Sequence, residues 1–185
     1  MPTAPLRKPN RYELPLSNMV GAMVIVILFV LAFVIFRALN RDNSAVTPQH
    51  VNYLPQAAAA RSAERLDVWA PLTLPVGWYA TAARYDGGIN PHWHLSATDG
   101  KHYLGIEEGL DGLDAELHLA LQGTPISAGK VEINGVVWTV YTDSQGDYAL
   151  GRSMPSKTPR YPEAIVVVGT TPPAAVRAYA ASLTD

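Results

Sequence analysis

Two histidines, His92 and His94, flank Trp93 in a stretch whose apolar-polar alternation predicts a β-strand. Residues two apart in a strand point to the same side of the sheet, so the two imidazoles share a face. Asp99-Gly100 predicts a two-residue hairpin turn, because Asp-Gly tolerates the positive φ angles of a type I′ turn. That turn sets His92 opposite Glu107 and Ser96 opposite Tyr103. Two imidazoles and a carboxylate on one face form a ligand set for zinc, copper or iron, which makes His92, His94 and Glu107 the candidate metal residues. His102 falls on the other face, beside Trp93, Leu95, Leu104 and Ile106, and cannot join them. The plainer reading of the same residues is the exposed polar face of a half-buried strand, which needs imidazole for nothing.

Other chemistry is thin. Glu107, Glu108, Asp111, Asp114 and Glu116 form an acidic stretch. It lacks the alternating Asp and Gly order of a calcium loop and reads as a solvated loop leading into a helix N-terminus. There is no Gly-x-Ser-x-Gly, no His-Glu-x-x-His, no phosphate-binding Gly-x-x-x-x-Gly-Lys and no Gly-x-Gly-x-x-Gly. Neither a catalytic residue nor a cofactor is expected, and the chain reads as non-enzymatic. Aromatics at strand positions are ordinarily core, and Trp138 among valines and isoleucines is placed there. Tyr141, on the outer face, is the candidate for a partner- or ligand-binding surface.

Composition narrows the classes. The 185 residues include 14 Lys+Arg and 16 Asp+Glu, for a formal charge of -2, and no cysteine. That balance argues against a nucleic-acid partner, and 48% hydrophobic residues argue against a disordered chain. The missing cysteines exclude a disulfide scaffold, a thiol nucleophile and a lipid-modified N-terminal Cys.

The apolar residues are concentrated. Residues 14–36 contain no charge, and Met19 to Phe36 is apolar all round, without the polar stripe of a soluble helix. Roughly 20 such residues cross a hydrocarbon core of about 30 Å, so 14–36 is expected to be a transmembrane helix embedded in the lipid bilayer. Its length and the absence of a small-x-small site after it favour an uncleaved signal anchor. Arg7, Lys8 and Arg11 precede the span, and Arg37 and Arg41 follow it, a bias that keeps the N-terminus cytoplasmic. Residues 1–43 carry five Lys+Arg against two Asp+Glu, and residues 44–185 nine against fourteen, which fits an acidic domain on the far side. Ser17 and Gly21 make a small-x-x-x-small pair where a partner helix could approach.

The organisation that follows is a cytoplasmic segment 1–13, the span 14–36, a linker 37–52 and an extracytoplasmic domain 53–185. In that domain Pro55 and the alanines after it predict a helix over 55–67. Strands are expected at 78–85, 92–98 and 101–107. A helix at 114–121 follows, with Leu113, Leu117, Ala120 and Leu121 on one face. Lys130 to Tyr141 predicts a hairpin around Asn134-Gly135 that pairs Ile133 with Val136 and Val131 with Trp138. Strands at 147–153 and 164–169 and a closing helix at 172–183 complete the order. Strands joined by tight hairpins give an antiparallel sheet, so the fold class is α+β, with about 6–7 strands and helices against one sheet face.

The order of short motifs resembles a known family. Tyr53-Leu-Pro-Gln-Ala-Ala, Leu74-Pro75-Val76-Gly77-Trp78, Trp93, Asn134-Gly135-Val136-Val137-Trp138 and Ala180-Ala181-Ser182-Leu183 follow one N-terminal span. They resemble an actinobacterial family of small single-pass membrane-anchored proteins catalogued as a domain of unknown function, over nearly the whole chain. The resemblance implies an envelope protein with no assigned reaction. The functional expectation is a plasma-membrane-anchored, protein-binding accessory subunit of a membrane or cell-envelope complex. The alternative is a module that binds an envelope glycan or lipid in a groove between sheet and helices, with a metal-binding protein third.

Overall fold

A computed structural model describes residues 16–39, 49–156 and 162–185 of the chain. The elements are α1 (Leu16–Leu39), α2 (Leu54–Arg61), β1 (Ala70–Pro71), β2 (Tyr79–Asp86), β3 (His92–Thr98), β4 (Tyr103–Gly109), α3 (Leu113–Ala120), β5 (Ile126–Ile133), β6 (Val136–Thr142), β7 (Tyr148–Met154), β8 (Glu163–Gly169), α4 (Pro173–Ala181) and β9 (Leu183–Thr184). The chain divides into two units, residues 1–47 and 48–185.

In the first unit α1 is a continuous helix of 24 residues that runs past Phe36 to Leu39. Val20, Met23 to Leu31 and Phe33 to Phe36 are exposed apolar residues. Among the residues whose side chains are described, no helix is long and apolar enough to cross a membrane. Leu14 and Pro15 of the expected span and the side chain of Ser17 lie outside the described residues, as do residues 1–13 and 40–48.

The second unit is built on a seven-stranded antiparallel sheet in the order β2-β3-β4-β8-β7-β6-β5, while β1 and β9 pair separately. The fold is α+β, with the strand and helix order the sequence predicts. The Asn134-Gly135 hairpin has the expected register, Ile133 opposite Val136 and Val131 opposite Trp138. Both turn residues sit at positive φ, 52° and 78°, as a type I′ turn requires.

Four expectations are corrected. The helix at 55–67 ends at Arg61, where the Ser62 hydroxyl donates back to the Ala59 carbonyl at 2.6 Å. The segment beyond it turns through Glu64 and Val68, both at positive φ. The 37–52 linker is shorter at both ends, since α1 continues to Leu39 and Val51 N–H already donates to Ala80 O at 2.9 Å. The helices do not share one face. Ala57, Ala60, Val176 and Tyr179 of α2 and α4 pack on the side of Trp93, Leu95, Ile106 and Ile165. Leu117 of α3, with Leu121 just beyond it, packs on the opposite side against Ala149, Val166 and Val168.

The fourth correction is the β3–β4 turn. Asp99 Oδ1 accepts the backbone N–H groups of Lys101 at 2.8 Å and His102 at 2.6 Å, so the loop is four residues long rather than two. His102 lies in that loop, its Nδ1 2.9 Å from Asp99 Oδ2, and not on the strand face. The register moves by two: His92 faces Gly109, His94 faces Glu107, Ser96 faces Gly105 and Thr98 faces Tyr103. A shift of two preserves the pleat, so His92, His94 and Glu107 still share a face.

β8 lies between β4 and β7, and all seven of its residues are buried. Truncating Ile165 to Ala is expected to cost about 2–5 kcal/mol, as core aliphatic truncations do. Val137→Ala, on an exposed position of β6, should stay within about 0.5 kcal/mol. All four tryptophans lie in residues 48–185, so denaturant unfolding followed by tryptophan emission measures this unit alone.

Candidate functional site

On the α3 side of the sheet the polar residues of β2, β3 and β4 line up beside the helix. Glu107 is the hinge of the cluster. Its Oε1 is 2.7 Å from His94 Nδ1, and its Oε2 is 3.2 Å from His92 Nε2. Glu116 of α3 adds a second carboxylate, with Oε2 3.2 Å from the same His92 nitrogen. Glu116 is wholly buried and Glu107 nearly so. Gly109 makes the approach possible, since a Cβ there would overlap the Glu116 carboxylate and sit 3.2 Å from His92 Cδ2. Two adjoining depressions open over this cluster. One, of about 380 Å³, is lined by Ala82, Arg84, His92, His94, Glu107 and Leu119. The other, of about 330 Å³, shares His94, Glu107 and Leu119 and extends to Tyr103, Gln122, Asp147 and Thr170.

The cluster works as a charge chain. Contact with Glu107 first and Glu116 second raises the His92 pKa to about 9 against the opposing effect of burial, which makes it an imidazolium at neutral pH. His92 Nε2 and both Glu116 oxygens have no aligned hydrogen-bond partner, so the 3.2 Å contacts act as charge pairs. Burial pushes Glu107 up, but its contacts with His92 and His94 outweigh it and hold the carboxyl below its ordinary range. As a carboxylate, Glu107 accepts from His94 Nδ1–H, and His94 lines both depressions.

The structure thus brings together the three candidate metal residues, His92, His94 and Glu107, and adds Glu116. Among the described residues, however, no group of three His, Asp or Glu stands where it could hold a metal ion. The carboxylate oxygens that a metal would need are turned to the imidazoles instead. The acidic stretch is not a solvated loop either, because Glu107, Glu108 and Glu116 are all buried. Glu116 was legible in principle: it lies three residues after Leu113, on the flank of the same helical face.

Tyr141, the candidate for a partner-binding surface, is half-buried. α3 covers that face, and Tyr141 packs with Leu113 against Leu117, Ala149 and Val166. At Gly21 an added Cβ would meet nothing within 4 Å.

A second cluster lies on the other face, and its pairing leaves no mark in the local sequence. Glu108 and Glu163 are fully buried. Glu108 accepts the backbone N–H of Val68 at 2.8 Å and of Trp69 at 2.7 Å, and Glu163 accepts that of Asp67 at 3.0 Å. Val68, a β-branched residue at φ 57°, is strained, and these carboxylates hold it there. The Arg152 guanidinium carbon lies 4.9 Å from the ring centres of both Trp69 and Trp138. Burial, and then the neighbouring Glu163, pushes the Glu108 carboxyl well above the usual carboxylate range.

An antiparallel α+β domain with a groove over two histidines and two buried glutamates defines no reaction class. The sequence profile of a protein family of unknown function, DUF4245, matches residues 11–183, and the chain belongs to that family. No curated protein matches it. Among solved structures, MucB in complex with MucA(peri) matches at 14% identity and a TM-score of 0.35, covering 63% of this chain and 35% of that one. The MucA/MucB complex of Pseudomonas aeruginosa matches at 15% identity and a TM-score of 0.34, covering 63% and 34%. This chain spans about a third of the length of those chains. TM-scores this low carry no argument about function.

Two titrations check the clusters. His92 is expected to titrate near pH 9 by NMR, and Glu116→Gln or Gly109→Ala should move its midpoint back toward about 6.5, the unperturbed value. A raised histidine stabilises fully below its unfolded pKa, so this contribution should fade as pH rises through about 9. Glu108 follows the same sign: its contribution is complete below about 4.3, the unfolded value, and is lost as pH rises through the raised folded one. Glu163→Gln supplies a permanent amide donor to Glu108 in place of a proton. It should flatten the Glu108-linked loss of stability in denaturant melts repeated from pH 5 to 8.

Proposed function

We propose that this chain is a single-pass plasma-membrane protein. Its α1 spans the bilayer with the N-terminus cytoplasmic, and residues 48–185 form a non-enzymatic, extracytoplasmic protein-binding module, an accessory subunit of a membrane or cell-envelope complex. The observation that carries the reading is α1 itself: 24 residues of unbroken helix, about 36 Å long at ~1.5 Å per residue, with exposed apolar side chains and no charge between Leu16 and Phe36. Such a surface is satisfied by lipid and not by water. Tethering would hold the binding domain near its membrane partners and raise its effective concentration for them.

The Ser96 and Thr98 hydroxyls of β3 are hydrogen-bonded elsewhere, which supports the non-enzymatic reading. Ser96 Oγ is 3.0 Å from Thr81 Oγ1, and Thr98 Oγ1 donates to His102 O at 2.6 Å. A second reading, an envelope glycan or lipid ligand in the groove over His94 and Glu107, is favoured by the two adjoining depressions between the sheet and α3.

A chain without cysteine suits single-cysteine topology mapping. Ser127→Cys should react with a membrane-impermeant maleimide in intact cells, and Thr3→Cys only after permeabilisation; the reverse pattern would overturn the orientation. Extraction of the chain by alkaline carbonate would overturn the span. Purification in mild detergent should bring a near-stoichiometric membrane partner, whereas a chain that arrives alone, with groove resonances that shift on adding glycan fragments, favours the second reading.

A further inference from the structure

We propose that the loop between β1 and β2 is a membrane-surface contact, with Leu72 and Val76 seated in the interfacial layer of a bilayer. This rests on the membrane-anchored reading above. From Val68 to Ala83 the chain carries no charged residue. Within that run the loop is held rigidly. Its base is fixed by the β1–β9 pairing of Pro71 with Leu183 and by the Tyr53 hydroxyl, which donates to Pro71 O at 2.9 Å. Its far end closes through Trp78 N–H donating to Pro75 O at 3.0 Å, with Gly77 at φ 83°.

The side chains then divide. Leu74 turns inward and packs against the core. Leu72 points outward at 66% exposure, and Val76 is fully exposed. Two other exposed apolar residues are set differently. Ile89 lies in a loop whose carbonyls accept hydrogen bonds from Arg65, and Leu119 borders the groove that holds Arg84 and Glu107.

Lipid is favoured as the occupant by where the tether joins this unit. Val51 N–H donates to Ala80 O at 2.9 Å, and the His50 ring stacks on Tyr79 at 4.0 Å, so the chain enters beside the strand that the loop leads into. Residues 40–48 separate Leu39 from Gln49, a reach of roughly 35 Å at most even fully extended. A rigid, uncharged, outward-facing apolar tip near the point of tethering fits the headgroup-acyl boundary, where apolar side chains are buried by lipid without a protein partner.

The test places one environment-sensitive fluorophore at a time on Val76→Cys, Ser127→Cys or Phe29→Cys in the full chain, reconstituted in phosphatidylcholine-phosphatidylglycerol vesicles. The expected result is blue-shifted emission quenched by doxyl lipid at positions 29 and 76, with position 127 remaining aqueous. Quenching at 29 while 76 behaves like 127 would overturn the loop contact and leave the anchor standing. An aqueous signal at 29 would overturn the anchor, and this proposal with it. Emission at 76 that turns apolar only in native membranes, and not in vesicles, would overturn lipid in favour of a protein partner.

Discussion

The burial of β8 on both faces is the constraint from which the rest of the second unit follows. A strand that runs Ala-Ile-Val-Val-Val after Glu163 has no polar side to offer water. The sheet must therefore be covered twice, by α2 and α4 over one face and by α3 over the other. α3 is short, eight residues, and reaches the sheet only because Gly109 and Gly151 leave room for it. A Cβ at Gly151 would stand 2.9 Å from Leu113 Cδ1 and 3.2 Å from the Tyr141 ring.

Covering both faces brings carboxylates under cover as well, and each face meets the cost differently. An ionised carboxylate in an apolar setting is tolerated only when hydrogen-bonded, paired with a cation or protonated. On the α3 face, imidazoles do this: His92 lies between Glu107 and Glu116, and His94 takes the other oxygen of Glu107. On the opposite face, backbone N–H groups of residues 67–69 do it for Glu108 and Glu163, and Glu108 adds a raised proton affinity. The first arrangement opens on a groove and the second is sealed beneath a strained turn. The second is a clamp on the Asp67–Trp69 segment.

The sequence was most legible where a local rule determines structure. Asn134-Gly135 fixes a two-residue turn, and with it the faces of β5 and β6, since both residues accept positive φ. Asp99-Gly100 carries the same dipeptide signal but folds otherwise, because the Asp99 carboxylate captures two backbone N–H groups and lengthens the loop. The shared face of His92, His94 and Glu107 survived that error only because the slip was an even number of residues. Tyr141 misled because strand alternation names two faces without saying whether a helix covers the second. The Glu108–Glu163 pair is non-local, 55 positions apart in the sequence, and its meeting depends on register across β4, β8 and β7 together.

The same two-sided packing bears on what kind of function the domain can support. The groove is floored by charge pairs, and His94 is oriented by a carboxylate it shares with His92. General-base chemistry needs a nucleophile within reach of that imidazole. The nearby strand hydroxyls, Ser96 and Thr98, are instead engaged with Thr81 and the His102 carbonyl. Arg84, His94 and Leu119 line the first depression, and Tyr103, Gln122, Asp147 and Thr170 extend the second. A cation, an imidazole and an aliphatic side chain on a rigid sheet are the elements of a recognition surface.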